Sequence, residues 1–363
     1  MKESSLLLVA LNLFPDLGSI KIQSIAEKYN SFSEFMKADA EELLDVPGIG
    51  KKLCERIITH RSKIEPYSEI EKATEQKVSI VTLFDEEYPE RLKEIYDPPP
   101  VLYIKGDKSV LNNRSIAVVG SRKASTYGRR VATNFAKELA LMNINVVSGM
   151  ARGIDSFAHK GAIEAGGPTT AILGCGIDIV YPPENRVLMQ EIIECGCIIS
   201  SFPMGTTPLP ANFPARNRII SGLSLGTLVV EAAERSGSLI TADFSLEQGR
   251  EVFAVPGNIY SPYSRGTHKL IKQGAKLVES VEDILDELYL ERQANMINEG
   301  AIDFQKLTRS EKILYELIDY HPIQIEELIE MSQLDSNKTN AVLTRLELKG
   351  LILALPGGYY VRN

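Results

Sequence analysis

Ser115-Ile-Ala-Val-Val-Gly-Ser-Arg122 decides the fold. An unbroken apolar run stops at glycine, serine and arginine, and a helical period then extends from Tyr127 to Met142. A short run without polar alternation is the mark of a strand covered on both faces, as in parallel sheets. The pattern returns at Asn145–Ser148, Thr169–Leu173, Cys197–Ser200, Leu225–Val230 and Glu251–Val255. Helical periods at Asp155–Ala165, Asn185–Glu194 and Leu239–Gln248 lie between those runs. This alternation predicts an α/β fold with a Rossmann-like, doubly wound, mostly parallel sheet. Each predicted strand ends in small or polar residues: Gly120-Ser121-Arg122, Ser148-Gly149, Gly174-Cys-Gly176, Ser200-Ser201, Glu231 and Pro256-Gly257. Ligands of such sheets bind outside the carboxyl ends of the strands, so six loops converge on one candidate crevice.

Outward from this centre, Val78–Thr82 and Val101–Lys105 read as two strands separated by Asp97-Pro-Pro-Pro100, extending or edging the sheet. The core is expected to span 68–288. Residues 1–67 read as a helical domain in which Leu43-Leu-Asp-Val-Pro-Gly-Ile-Gly-Lys-Lys-Leu53 forms a helix-hairpin-helix, with Pro15-Asp-Leu-Gly-Ser-Ile20 as a degenerate earlier copy. Glycines at such a turn let backbone N–H groups approach a phosphate, but the segment reads equally as a helical packing or protein-binding module. After an acidic linker at 289–303, residues 304–363 predict three helices and the hairpin Leu351–Val361, a winged helix. Its helix with Asn337, Lys338, Asn340 and Arg345 suits either DNA or protein contact.

The 363 residues carry a formal net charge of −8, which argues against a basic coat for duplex DNA. Charge is uneven, however: Val110 to Val278 holds 17 Lys/Arg against 12 Asp/Glu. No apolar stretch approaches a membrane span, and the opening residues do not form a convincing secretory signal. Cys54, Cys175, Cys195 and Cys197 lack metal-ligand spacing and read as thiols of a reducing cytoplasm. The expectation is a cytoplasmic protein with no metal site and no cofactor.

Phe213-Pro-Ala-Arg-Asn-Arg218 concentrates an aromatic ring, two guanidinium groups and a carboxamide behind a proline-punctuated loop. Guanidinium forks match phosphate oxygens, and an aromatic can stack a base. The same run also suits a capped helix whose arginines pair with carboxylates. Gly120-Ser121-Arg122 offers close backbone approach, a hydroxyl and a cation at a helix start. Arg152 can reach the crevice, Asp155 suits a helix N-terminus, and His159 reads as a packed residue. Glu231 is the one acid placed to act as a general base, and no second acid or nucleophile partners it. No catalytic residue is therefore assigned.

Gly120-Ser-Arg122, Ser148-Gly-x-Ala-x-Gly-Ile-Asp155, Tyr181-Pro, Phe213-Pro-x-Arg-Asn-Arg-Ile-Ile-Ser-Gly222, Ser236-Gly-Ser-Leu-Ile-Thr241 and Pro256-Gly257 occur in order. With them the chain resembles the DprA/Smf family, the bacterial DNA-processing protein A, over most of 78–288. The resemblance implies a core that binds single-stranded DNA without cleaving it. It also implies homodimerisation through the core and hand-over of the strand to a RecA-type recombinase in natural transformation. On this basis Arg122, Phe213, Arg216, Asn217 and Arg218 are expected to contact DNA, with Ser121, Ser148 and Gly149 lining the pocket; Gly120 and Arg152 complete the expected DNA-binding set. Three positions depart from the family pattern: Ser201 stands for a usual Glu, His268 for a common Asn, and Pro210 for a Lys of some relatives. The alternative is a nucleotide-processing enzyme like the lysine-decarboxylase-like phosphoribohydrolases, through Gly226-Thr227 and Glu231, although the paired glycines of that signature are missing. A third reading is a duplex-binding regulator acting through residues 304–363.

Overall fold

The computed structural model describes residues 1–14, 17–290, 307–320 and 322–362. The chain divides into two compact units, Met1–Met296 and Ile297–Asn363. The larger unit is built on nine strands: β1 (Ser79–Thr82), β2 (Val101–Gly106), β3 (Ser115–Val119), β4 (Asn145–Ser148), β5 (Thr169–Ile172), β6 (Cys197–Ser200), β7 (Gly226–Val229), β8 (Glu251–Ala254) and β9 (Lys276–Leu277). Their spatial order is β1-β2-β6-β5-β4-β3-β7-β8-β9. From β6 to β9 every pairing is parallel, while β2 joins β6, and β1 joins β2, antiparallel. The chain steps outward from β3 to β6, then returns to start again at β7 on the other side of β3. That reversal puts the topological switch point between the carboxyl ends of β3 and β7.

Alternate residues of β3 explain why the strand is apolar throughout. Ile116 and Val118 pack with Ala132, Phe135 and Ala158 of the helices Thr126–Leu141 and Ile154–Glu164. Ala117 and Val119 pack on the opposite face with Ile219, Ile220 and Ala242 of the helices Asn212–Leu223 and Gly237–Glu247. Side chains of a strand point alternately to the two faces, so a doubly covered strand has no polar positions to spare.

The N-terminal helices, Glu3–Asn12, Ser19–Lys28, Phe32–Lys37, Ala40–Leu44 and Lys51–His60, bury Leu7, Leu8, Leu11, Ile25, Phe35 and Leu43. Those side chains form one continuous core with Val101 and Tyr103 of β2, Ala171 of β5 and Ile198 of β6. The expected hairpin turn is present between Ala40–Leu44 and Lys51–His60, with Gly48 at φ +82°. Of the degenerate copy at 15–20, Pro15 and Asp16 lie outside the described residues. So does the predicted 289–303 linker from residue 291 onward.

The smaller unit contains helices Arg309–Leu317, Ile325–Ser332 and Ser336–Leu348 with a three-stranded sheet of β10 (Ile323–Gln324), β11 (Ile352–Leu355) and β12 (Tyr359–Arg362). Leu314, Leu328, Leu343, Leu346 and Ile352 make its core. It is the winged helix that the sequence predicts, with β10 added as a two-residue strand too short to leave a periodic signal.

His159 is completely buried on the Ile154–Glu164 helix, so it is a packed residue. Thr169 Oγ1 donates its only proton to the Val146 carbonyl at 2.7 Å, so Nδ1 of His159, 2.7 Å away, must be the donor to Thr169. Nε2 is buried without a partner among the described residues, and burial pushes the imidazole pKa down to about 3, helped by the nearby Arg216 charge. The unfolded chain therefore takes up this proton first as pH falls. The stabilisation is complete above pH ~6.5 and is lost progressively towards pH ~3. The thermal midpoint of the parent protein should fall between pH ~6.5 and ~4, and His159→Gln should flatten that dependence. Equal pH slopes for both proteins would refute this assignment.

Candidate functional site

The crevice begins at the switch point. The Ser121 N–H donates to the Glu231 carbonyl at 2.7 Å, and the Ser121 carbonyl accepts from Ile154 N at 3.1 Å. Gly120 and Gly153 make this close approach possible. A Cβ at Gly120 would lie 2.6 Å from Ile154 Cγ1, and one at Gly153, whose φ is +76°, would lie 2.2 Å from the Ser121 carbonyl oxygen. The turn is thus rigid, and Arg122 projects from it exposed, with no carboxylate partner among the described residues.

Phe213 forms the opposite wall. Its ring lies against Gly174, where a Cβ would meet Cδ1 at 2.9 Å, and its centroid is 5.5 Å from that of Tyr181 at an interplanar angle of 39°. The Arg122 guanidinium carbon stands 5.4 Å from the Phe213 centroid. Arg122, Arg152, Gly174, Cys175, Tyr181 and Phe213 line one small cavity. Burial raises the Cys175 thiol to about 11, so it stays protonated and is no nucleophile at neutral pH. A half-exposed aromatic pair beside an unpaired cation is suited to stacking a flat ring and neutralising the anion attached to it.

The rest of the expected donor cluster is dispersed, and the reason is helical geometry. Phe213 to Arg218 lie within the helix that begins at Asn212, with Pro214 in its first turn where a missing N–H costs nothing. Successive side chains then diverge by about 100°, sending Arg216 and Arg218 to different surroundings. Arg216 is 4% exposed and donates to the Gly149 carbonyl at 2.8 Å, to the Ile172 carbonyl, and to Asn217 Oδ1 at 3.1 Å. Burial lowers its pKa to about 10, which leaves it charged, and Asp155 nearby supports the charge. The Asp155 carboxyl is itself shifted up by burial, a shift that Arg216 and backbone N–H groups oppose.

Arg218 is turned towards the N-terminal helices, bridging the Asp97 carboxylate at 3.3 Å, the Asp97 carbonyl and Ser19 Oγ at 3.0 Å. Ser148 Oγ is buried and donates to the Val118 carbonyl at 2.6 Å. The polar atoms of Arg216, Arg218 and Ser148, all three expected at the DNA pocket, are thus engaged within the protein. Asn217 Nδ2 reaches the Gly237 carbonyl at 3.4 Å, and exposed Arg152 pairs with Glu184. Gly149 leaves room for Arg216, since a Cβ there would lie 2.5 Å from Nη2. Ser121 Oγ accepts from Lys123 N at 3.1 Å, and this hydroxyl remains partly exposed.

Glu231, the candidate base, is a brace. Its carboxylate accepts from Ser125 N at 2.9 Å and from Ser125 Oγ, while Ser125 caps the Thr126–Leu141 helix. A Cβ on Gly128 would fall 2.2 Å from Glu231 Oε2, so the acid is packed into the helix end. Of the three departures, Pro210 is exposed just before the helix that bears Phe213. The Ser201 carbonyl accepts from Asn12 Nδ2 at 3.2 Å, and His268 Nε2 lies 3.1 Å from the Gly257 carbonyl. Tyr181 is a further lining aromatic, and its signal in the sequence is the Tyr181-Pro dipeptide after the Gly174-Cys-Gly176 turn.

Residues 79–289 match the family described as DNA recombination-mediator protein A. Residues 305–358 match the DprA winged helix domain, and 14–62 match the SAM-like helix-hairpin-helix tandem. Protein Smf of Synechocystis sp. is 32% identical over 382 residues, covering 96% of each chain. The X-ray structure of DNA processing protein A from Streptococcus pneumoniae superposes with a TM-score of 0.69 at 35% identity, covering 79% of this chain and 98% of that one. DNA processing protein A from Helicobacter pylori, solved for its single-stranded DNA binding mode, gives a TM-score of 0.53 at 29% identity, covering 58% and 96%.

Replacing Arg216 by Met strands Asp155 and two carbonyls in the interior. Urea unfolding should show a loss of about 3–5 kcal/mol. Arg122→Ala, on an exposed and unpaired side chain, should stay within about 0.5 kcal/mol of the parent. Equal losses in the two variants would contradict the division of labour between these arginines.

Proposed function

This chain belongs to the DNA recombination-mediator protein A (DprA/Smf) family, and from that premise we propose that it binds single-stranded DNA in the Arg122–Phe213 crevice. The observation that carries the reading is the juxtaposition of an unpaired, exposed guanidinium with a half-exposed aromatic pair at the switch point. A base stacks on Phe213 and Tyr181, Arg122 neutralises its phosphate, and Arg216 acts from beneath as a positioning residue. The Helicobacter pylori relative, whose structure gives insight into its single-stranded DNA binding mode, supports the same ligand for this chain.

The role that follows is non-enzymatic: the protein shields a single strand and passes it to a RecA-type recombinase. The hand-over rests on family membership. Homodimerisation through the core has a local support, because among the described residues β9 ends the sheet with its outer edge unpaired and Leu277 is 42% exposed there. The hydrolase alternative requires a free Glu231, and this carboxylate is engaged by Ser125 on the Gly128 turn.

Binding of labelled oligothymidylate, titrated at several salt concentrations, tests the reading. Arg122→Ala should weaken binding and reduce the slope of log K against log salt by about 0.7, the share of one phosphate contact on a single strand. Phe213→Ala should cost ~1–3 kcal/mol with the slope unchanged. Parent affinity and slope in Arg122→Ala would remove Arg122 from the interface.

A further inference from the structure

The segment 256–265 follows β8 and displays two large apolar side chains to solvent. Tyr260 is 86% exposed and Ile259 73%. The loop is nevertheless ordered from within: Asn258 Oδ1 accepts from Tyr260 N at 2.8 Å, and the Asn258 carbonyl accepts from Ser261 N at 3.0 Å. It is also anchored to the switch point. Ala232 N donates to the Tyr263 carbonyl at 2.8 Å, and Gly266 N to the Ala232 carbonyl at 2.7 Å. Tyr127 on the neighbouring helix donates to the Pro256 carbonyl at 3.0 Å. Glu231, the residue before Ala232, holds Ser121 at the end of β3, and this loop follows β8, two strands from β3 across β7.

Charge along this edge opposes the acidic balance of the chain. Residues 120–124, 230–237 and 256–265 carry Arg122, Lys123, Arg235 and Arg265 against the exposed acid Glu234 and the buried Glu231, which Ser125 engages. All four cations are exposed, and none has a carboxylate partner among the described residues. Exposed aromatics interspersed with unpaired cations fit a single nucleic-acid strand, whose bases stack while its phosphates meet the cations.

Resting on the single-strand reading above, we infer that the strand does not end in the Phe213 crevice. It continues across the carboxyl ends of β3 and β7 onto the 256–265 loop, where Tyr260 stacks a further base and Arg265 meets a phosphate. From β5 to β8 the track crosses four strand spacings, about 19 Å, a distance that several nucleotides would cover.

The chain contains no tryptophan, so Tyr260→Trp creates a single reporter. Binding of a labelled oligothymidylate of about 16 nucleotides is followed by anisotropy while the indole emission is recorded. The expected result is saturable quenching that tracks binding, together with roughly tenfold weaker binding by Tyr260→Ala. Parent-like binding with unchanged emission, and parent affinity in Tyr260→Ala, would overturn the extension and leave the Phe213 site standing. The exposed loop would then be free for a protein partner instead. Failure of the parent protein to bind the oligonucleotide would overturn the single-strand reading and this inference together.

Discussion

A buried guanidinium under the crevice is the constraint around which the site is arranged. Arg216 ties the end of β4, through the Gly149 carbonyl, to the end of β5, through the Ile172 carbonyl. It keeps its charge in the interior because Asp155 stands near and the two carbonyls and Asn217 accept its protons. Gly149 follows from this arrangement, since any side chain there would collide with the guanidinium. The placement of Phe213 follows as well: it precedes Arg216 by three residues on one helix, so anchoring Arg216 sets the ring over Gly174 and opposite Arg122. A buried charge of this kind contributes positional definition, whereas the exposed Arg122 contributes little to stability and is available to a ligand.

Much of the fold was legible in the sequence because doubly covered strands leave a plain mark. The six apolar runs from Ser115 to Val255 all became parallel strands, and the two preceding runs extended the sheet antiparallel. β9, two residues long with both exposed, left no such mark. The candidate site was legible in its place at the strand ends and less so in its parts. Strand-end composition pointed to the crevice, and Gly120, Arg122 and Phe213 lie there. The fates of Arg216 and Arg218 were not readable from a short motif. Whether an arginine meets solvent or a buried carbonyl depends on which residue begins the helix, here Asn212, and on what lies 100° around its axis. Glu231 shows the same limit, since its role depends on Ser125 and Gly128, more than a hundred positions away in the chain.

Net charge misleads about ligand class unless it is resolved by position. The chain as a whole carries −8, yet the strand ends at β3, β7 and β8 present four exposed cations with no carboxylate partner among the described residues, and one exposed acid, Glu234. A narrow positive edge on an acidic protein attracts a polyanion at one place and repels it elsewhere. A flexible single strand can follow such a track, whereas a rigid duplex requires a broader basic surface. The N-terminal and winged-helix segments, by contrast, are close to charge balance, with 9 basic and 10 acidic residues in 1–67 and 7 and 8 in 304–363.

The central claim is that single-stranded DNA lies on the Phe213–Tyr181 wall of the switch-point crevice. Photo-cross-linking of the full chain to an oligonucleotide carrying 5-iododeoxyuridine, with the attached peptides identified by mass spectrometry, tests it directly. The account predicts that cross-links concentrate on the peptides containing Phe213 and Tyr181. Cross-links confined to residues 1–67 or 307–362, with both of those peptides unmodified, would contradict it.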